Sequence, residues 1–295
     1  KKIVVMRENM VGKEKFKEIN RLLNQKLEEK KVLIAVHRGC GCGNIIENTI
    51  PAYRAALQMH ADMFECDLIS STDGVVYAFH DGYEMRLLRK RRNIKTYTSK
   101  EIDAFKYKNI IEEPAEYGVE KFEDILKSFQ SGELFNIDRA WDILPEVISL
   151  LEKYPQAIHQ AIIKTPVKKK YLDYLEECKM KVMYMPIAYN LEEIKTVLSY
   201  ENINIVGVEM IAKNSEEELF QDCNIQWVKE QGLFCWANAI TLGGSQKYDL
   251  FGGLDDDMAI KESPKKAWGK LIDKGINVMQ TDWPGIMSDF IKKYI

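Results

Sequence analysis

Short apolar runs alternate with amphipathic stretches along almost the whole chain. Phe16, Ile19, Leu22, Leu23 and Leu27 recur at helical spacing, which predicts an opening helix over Lys13–Lys30. Val32–Val36 is a buried-strand pattern, and Glu47–His60 reads as a helix with Pro51 in its first turn, where proline costs little. Asp62–Ile69 predicts a strand, and after the Thr72-Asp73-Gly74 turn Val75–Phe79 predicts a short return arm. Residues 82–118 are rich in charge and lack clean periodicity. From there the alternation is regular. Helices are predicted over Phe122–Phe129, Leu144–Tyr154, Lys168–Cys178, Leu191–Tyr200, Glu216–Gln231, Pro264–Lys274 and Gly285–Tyr294. Between them fall strands over Leu134–Asp138, Ala157–Lys164, Lys181–Pro186, Ile203–Met210, Leu233–Ala239 and Ile276–Thr281.

Leaving the short arm aside, eight strands are each followed by a helix. Such spacing reads as parallel βα units, and eight of them predict an α/β fold, the (β/α)8 TIM barrel, with an extra N-terminal helix. The expected organisation is a helical extension over 1–31 and a barrel over 32–295, with an insertion at about 82–118. A doubly wound open sheet is the rival, weakened because no Gly-rich phosphate turn follows the first strand.

Composition adds exclusions. The 295 residues are 46% hydrophobic and carry a formal charge of −3, so neither nucleic acid nor an anionic membrane is expected on net charge as the main partner. No apolar run is long enough to predict a transmembrane segment. Lys1–Lys2 opens onto only a few apolar residues before Arg7 and Glu8, and a start at Lys rather than Met leaves a removed leader open. Six Cys are too sparse for a disulfide scaffold; Cys40 and Cys42 read as free thiols, leaning toward a reducing, cytoplasmic setting. The basic run Arg89–Arg92 and the Lys168–Lys170 cluster read as solvated, and Asp255-Asp256-Asp257 receives no role.

Barrel chemistry sits at the C-terminal ends of strands. The polar residues expected there are His37 and Arg38, Glu65 and Asp67, His80 and Asp81, Asp138, Lys164, Glu209, Trp236 and Asn238, and Asp282. Glu65 and Asp67 are two apart on one strand, so both face the barrel mouth while Phe64, Cys66 and Leu68 face the helices. A shared cation resolves the cost of two such carboxylates, and hard oxygen ligands without a His or Cys cage suggest Mg²⁺ or Ca²⁺. Two of only four His, His37 and His80, flank this pair in sequence; His60 and His159 read as structural. Salt-bridged structural acids are the competing reading of Glu65 and Asp67.

The pattern His37-Arg38-Gly39, Glu47-Asn48-Thr49 with Ala52, Glu65-x-Asp67, Thr72-Asp73-Gly74 and His80-Asp81 resembles the glycerophosphodiester phosphodiesterases. Trp236-Ala237-Asn238 and the stretch from Gly275-Ile276-Asn277 to Thr281-Asp282-Trp283-Pro284 are similar to the same family's closing motifs, so the resemblance spans about residues 32–293. It implies a TIM barrel that hydrolyses a small-molecule glycerophosphodiester to sn-glycerol 3-phosphate and an alcohol with a divalent cation. By resemblance, Glu65 and Asp67 are metal ligands, Arg38 is a phosphate contact, and His37 and His80 are the acid–base pair. We take His37 as acid and His80 as base.

This chain departs from the family on the third strand. Where Glu-x-Lys is usual it has Asp138 and Ala140. Asp138 keeps the carboxylate, on a side chain shorter by roughly 1.5 Å. Lys164, at the end of the next strand, is expected to replace the missing cation, against the reading of a solvated strand end. Trp236, Tyr189 and Phe251 are expected to wall the alcohol site. The alternatives kept are the same chemistry on another head group, phosphoinositol or sphingolipid with a cyclic phosphate product, and a binding barrel without turnover.

Overall fold

The protein is described from a computed structural model, for residues 10–243 and 249–295; the Lys1–Glu8 opening lies outside the described residues. Among the described residues ten strands form, β1 Leu33–Val36, β2 Met63–Ser70, β3 Val76–Ala78, β4 Glu120–Lys121, β5 Leu134–Asp138, β6 Ala161–Pro166, β7 Met183–Ala188, β8 Gly207–Met210, β9 Phe234–Asn238 and β10 Val278–Thr281. Eight are parallel neighbours in the order β1, β10, β9, β8, β7, β6, β5, β2, and pairing of Ala35 with Met63 and Val36 with Phe64 closes the ring. The chain is a closed (β/α)8 barrel surrounded by helices. β2 outruns its neighbours, and its end carries β3 and β4 as an antiparallel arm.

Strand alternation divides the side chains into two cores. Phe64, Cys66 and Leu68 of β2 face outward, where they pack with Tyr53, Phe122, Phe129 and Phe135 under the helices. Leu33, Met63, Leu134, Ile162, Met183, Phe234 and Val278 fill the lower lumen. Gly207 belongs there because the Phe234 ring lies 2.1 Å from where a Cβ would stand. The N-terminal segment joins this inner cluster through Val11, Leu23 and Leu27, and a buried amide pair, Asn20 with Asn204 at 2.9 and 2.8 Å, ties it down. Among the described residues it packs across the strand starts and covers that end of the lumen. The 82–118 insertion packs on its own satellite core of Leu87, Leu88, Ile94, Tyr97, Ile102 and Tyr107 against Tyr77 and Phe79 of the arm.

Several boundaries differ from the sequence expectation. The opening helix begins at Arg21, after a single 3₁₀ turn at Glu14–Phe16. The predicted Glu47–His60 helix starts only at Ile50, capped by Thr49, because Asn48 is left-handed at φ 56° and cannot belong to it. His159 ends a 3₁₀ turn over Pro155–His159 rather than lying in a strand, since Pro155 starts a turn and β6 begins only at Ala161. The Glu216–Gln231 helix divides into a turn at Glu218–Phe220 and a helix over Asp222–Glu230. Among the described residues no helix is long and apolar enough to cross a membrane.

Candidate active site

Above its apolar floor the lumen turns polar. β2 and β5 pair in register, Glu65 beside Asn136 and Asp67 beside Asp138, so three carboxylates emerge on one side of the mouth. Glu65, Asp67 and Asp138 each offer an oxygen within 4.8 Å of the others. Glu65 and Asp67 are buried, and Asp138 keeps some exposure. Burial, reinforced by Asp67 and Asp138, pushes Glu65 well above the usual carboxylate range, against the pull of Lys164 and Arg38. Three converging hard oxygens, one of them unable to ionise freely, are a donor set that fits a divalent cation.

Arg38 is fixed against this cluster by the chain itself. Its residue is left-handed at φ 58°, and its backbone N–H donates to Glu65 at 2.9 Å. Its guanidinium bonds Glu47 at 2.9 Å, lies 3.1 Å from Asp67 without hydrogen-bond alignment, and sits over the Tyr83 ring. Burial alone would lower its pKa, but Asp67, Glu47 and Glu65 together raise it, so the cation is permanent. Glu47 is held in turn by Arg86 from the insertion. Asn48 donates to Asp67 at 2.9 Å while its carbonyl oxygen accepts from the Asp67 N–H and the Tyr53 hydroxyl, which locks the carboxylate's orientation.

The two His stand in different settings. His37 Nδ1 pairs with Asp282 at 3.1 Å, an arrangement that leaves Nε2 for a substrate. Asp282 follows β10, and its N–H donates at 2.9 Å to Asp256, which also accepts from Thr281 and Trp268. Burial pushes the Asp256 carboxyl up to about 7, despite these donors. His80 Nδ1 bonds the Asp81 carbonyl at 2.8 Å and its ring meets Tyr83 edge-on. Burial lowers its pKa, aided by Arg38 and Arg139 and opposed by Asp67, which favours the neutral ring. Arg139, left-handed at φ 57° just past β5, bonds Asp81 at 2.8 Å.

Lys164 is buried between two acids. Its ammonium lies 2.8 Å from Glu209 and 3.1 Å from Asp138, 5.6 Å from the centre of the Trp236 ring. Asn238 completes the group, donating to Glu209 at 2.6 Å and accepting from the Trp236 indole at 2.8 Å. Burial opposes the charge on Lys164, but Asp138, Glu209 and Glu65 outweigh it and raise the pKa.

The family model of the Glycerophosphoryl diester phosphodiesterase family matches residues 37–186, just over half of the chain. The chain belongs to that family. A second model, described only as a domain of unknown function, matches residues 180–291. A glycerophosphodiester phosphodiesterase of Caldanaerobacter subterraneus subsp. tengcongensis is 25% identical over 197 residues, covering 66% of this chain and 69% of its own. A glycerophosphoryl diester phosphodiesterase of Parabacteroides distasonis superposes with a TM-score of 0.75 at 18% identity, over 98% of this chain and 94% of the other. A phosphodiesterase of Oleispira antarctica, solved with the product sn-glycerol-3-phosphate, gives 0.63 at 13% identity over 88% and 96%.

This glycerophosphodiester phosphodiesterase relative is therefore a phosphoric diester hydrolase. The stretch matched by the family model carries His37, Arg38, Glu65, Asp67, His80, Asp138 and Lys164. The structure gathers the carboxylates, Arg38 and Lys164 into one contact network, with His80 joined to Arg38 through the Tyr83 ring that both meet. Trp236 belongs elsewhere than expected: it has no accessible surface and floors the site under Lys164 instead of walling it. Phe251 is also buried, packed on Phe220, whereas Tyr189 is half-exposed on the rim. Cys40 and Cys42 are free thiols, and burial, then Asp282, pushes Cys40 up to about 11, an unreactive value. Sequence reasoning passed over the supporting roles of Glu47, Asn48, Glu209, Asp256 and Asp282. The first two stood in the quoted Glu-Asn-Thr motif, but nothing in the Asp255–Asp257 run distinguishes Asp256 from its neighbours.

Proposed function

We propose that this chain hydrolyses a glycerophosphodiester to sn-glycerol 3-phosphate and an alcohol, with His37 as general acid and His80 as general base. The observation that carries the reading is the convergence of Glu65, Asp67 and Asp138 beside the buried cations Arg38 and Lys164. The product named for the Oleispira antarctica neighbour agrees with it.

Glu65, Asp67 and Asp138 would hold Mg²⁺ or Ca²⁺, which supplies charge neutralisation to the anionic diester. Arg38, prevented from swinging by Glu47 and Tyr83, presents a fixed positive charge to a phosphate oxygen. Lys164 takes the place of the third-strand cation lost to Ala140, one strand over, anchored on Asp138. His80, kept neutral, accepts the proton of a glycerol hydroxyl as that oxygen attacks phosphorus. His37, oriented by Asp282, protonates the departing alkoxide as its P–O bond breaks. Water then opens the resulting cyclic phosphate with the two roles exchanged, giving the monoester.

The test is release of glycerol 3-phosphate from glycerophosphocholine and glycerophosphoethanolamine with Mg²⁺, Ca²⁺ or EDTA. The expected result is cation-dependent release that His37→Ala or His80→Ala reduces by at least about a hundredfold. Release that persists in EDTA, or in both His variants, overturns the mechanism. Cation binding without release from either substrate overturns the substrate.

A further inference from the structure

The rim around the barrel mouth is unusually apolar for a water-facing surface. Ile110 and Ile111 are 70% and 71% exposed. They crown a turn that is ordered before meeting anything: the Asn109 side chain accepts from the N–H groups of Ile111 and Glu113, and the Asn109 and Glu113 backbones pair at 2.9 Å. This turn is fastened to the loop that follows β1, through the Ile110 N–H on the Gly43 carbonyl and the Asn109 amide on Asn44. Ile45 in that loop and Met85 beside the site-lining Tyr83 and Arg86 are exposed as well. Tyr189 directly follows β7 and Trp283 follows β10, both about half exposed at the same end of the barrel. The other exposed large apolar residues among those described, Met59, Ile260, Ile286 and Ile295, lie on or at the ends of outer helices. Apolar patches gathered around an opening mark an interaction surface, whereas scattered ones do not.

Charge identifies the partner. The 82–118 insertion carries nine Lys or Arg against six Asp or Glu, so a chain of net −3 concentrates positive charge beside its mouth. Arg86, Arg89, Arg91, Arg92 and Lys95 are all exposed; Arg86, Arg89 and Lys95 are paired with Glu47, Glu112 and Asp81, which leaves Arg91 and Arg92 without an ion pair among the described residues. The two segments meet, because the Lys108 N–H donates to the Leu87 carbonyl and Arg89 pairs with Glu112 next to the isoleucine tip. Two aliphatic side chains on a rigid tip, a Trp and a Tyr at the same level, and a basic flank form the combination that seats a protein in a lipid interface. We propose that this rim docks on an anionic lipid bilayer, with the Ile110–Ile111 tip entering the interface and the basic flank meeting the headgroup phosphates. Docking this way turns the strand ends, where the polar site lies, toward the membrane. The inference stands independently of which diester the site cleaves.

The test is co-sedimentation of the full chain with vesicles of phosphatidylcholine alone or mixed with phosphatidylglycerol. Binding is expected to the mixed vesicles and to weaken as salt rises. The double variant Ile110→Ser/Ile111→Ser should lose on the order of tenfold or more in partitioning. Arg91→Gln/Arg92→Gln should lose about fivefold per charge on the anionic vesicles. Both pairs are surface positions, so melting temperature and turnover of soluble glycerophosphocholine should match wild type; a soluble activity absent in all three proteins bears on the catalytic reading and not on docking. Failure of the wild type to sediment with either vesicle overturns the proposal, and so does binding that ignores the Ile substitutions. Concentration-dependent dimerisation abolished by those substitutions overturns it in favour of a contact between copies.

Discussion

Replacing Lys164 with Met tests the electrostatics of the site most directly. The side chain is 3% exposed and its ammonium is the cation between Asp138 and Glu209. Met keeps much of the volume above Trp236 but removes the charge. Glu209 is then buried without its cation, and Glu65, already pushed up by burial, Asp67 and Asp138, loses an opposing attraction. Breaking a buried pair from one side costs about 3–5 kcal/mol. At about 2.1 cal/mol/K of unfolding entropy per residue, that is a fall of roughly 5–8 °C in Tm for a chain of this length. The loss should be smaller below neutral pH, because the orphaned carboxylates take up protons in the folded state and its stability rises as pH falls. Divalent cations should restore more stability to the variant than they add to wild type, since the carboxylates no longer have an internal counter-ion. Thermal and urea unfolding in EDTA and in Mg²⁺, each below and above neutral pH, measure all three effects. A loss under about 1 kcal/mol that ignores both pH and cation would refute the reasoning, since that is the scale of an exposed pair.

Substitutions at three further sites give four outcomes. Asp256→Asn puts one amide N–H against a donor that the carboxylate now accepts, so the turn holding Asp282 should loosen and kcat fall with little change in KM. The same substitution removes a carboxyl that titrates near 7 when folded and near 4 when unfolded; wild-type stability, unlike the variant's, should fall by on the order of 3–4 kcal/mol as pH rises through that window, read by denaturant unfolding. Asn48→Ala should destabilise more than Asn48→Gly by about 1 kcal/mol, because both lose the bonds to Asp67 and Tyr53 but only Ala resists a φ of 56°; equal losses would show the backbone is not strained. Arg139→Gln removes one of the cations that hold His80 below its ordinary value, so the acidic limb of the kcat/KM profile should move to higher pH; an unmoved limb assigns it to another group.

The βα alternation was legible because each strand is a short apolar run and each helix an amphipathic one, and both periods are local properties of the chain. The same locality placed Glu65 and Asp67 on one face of β2. Element ends were less legible. Asn48 is left-handed with its side chain bonded to Asp67 across the fold, a contact no local pattern shows, and the helix starts only after it, capped by Thr49. Trp236 shows the limit more sharply: inward orientation follows from alternation, but whether an inward residue is wall or floor depends on its height in a lumen stoppered by Leu23 and Leu27. Residue types alone therefore predicted the barrel and placed the carboxylate pair on one face of a strand. Only the closed ring could decide that Lys164 reaches Asp138, that Asp256 steadies His37 through Asp282, and that a basic run meets an isoleucine tip at the mouth, because those contacts join residues far apart in sequence.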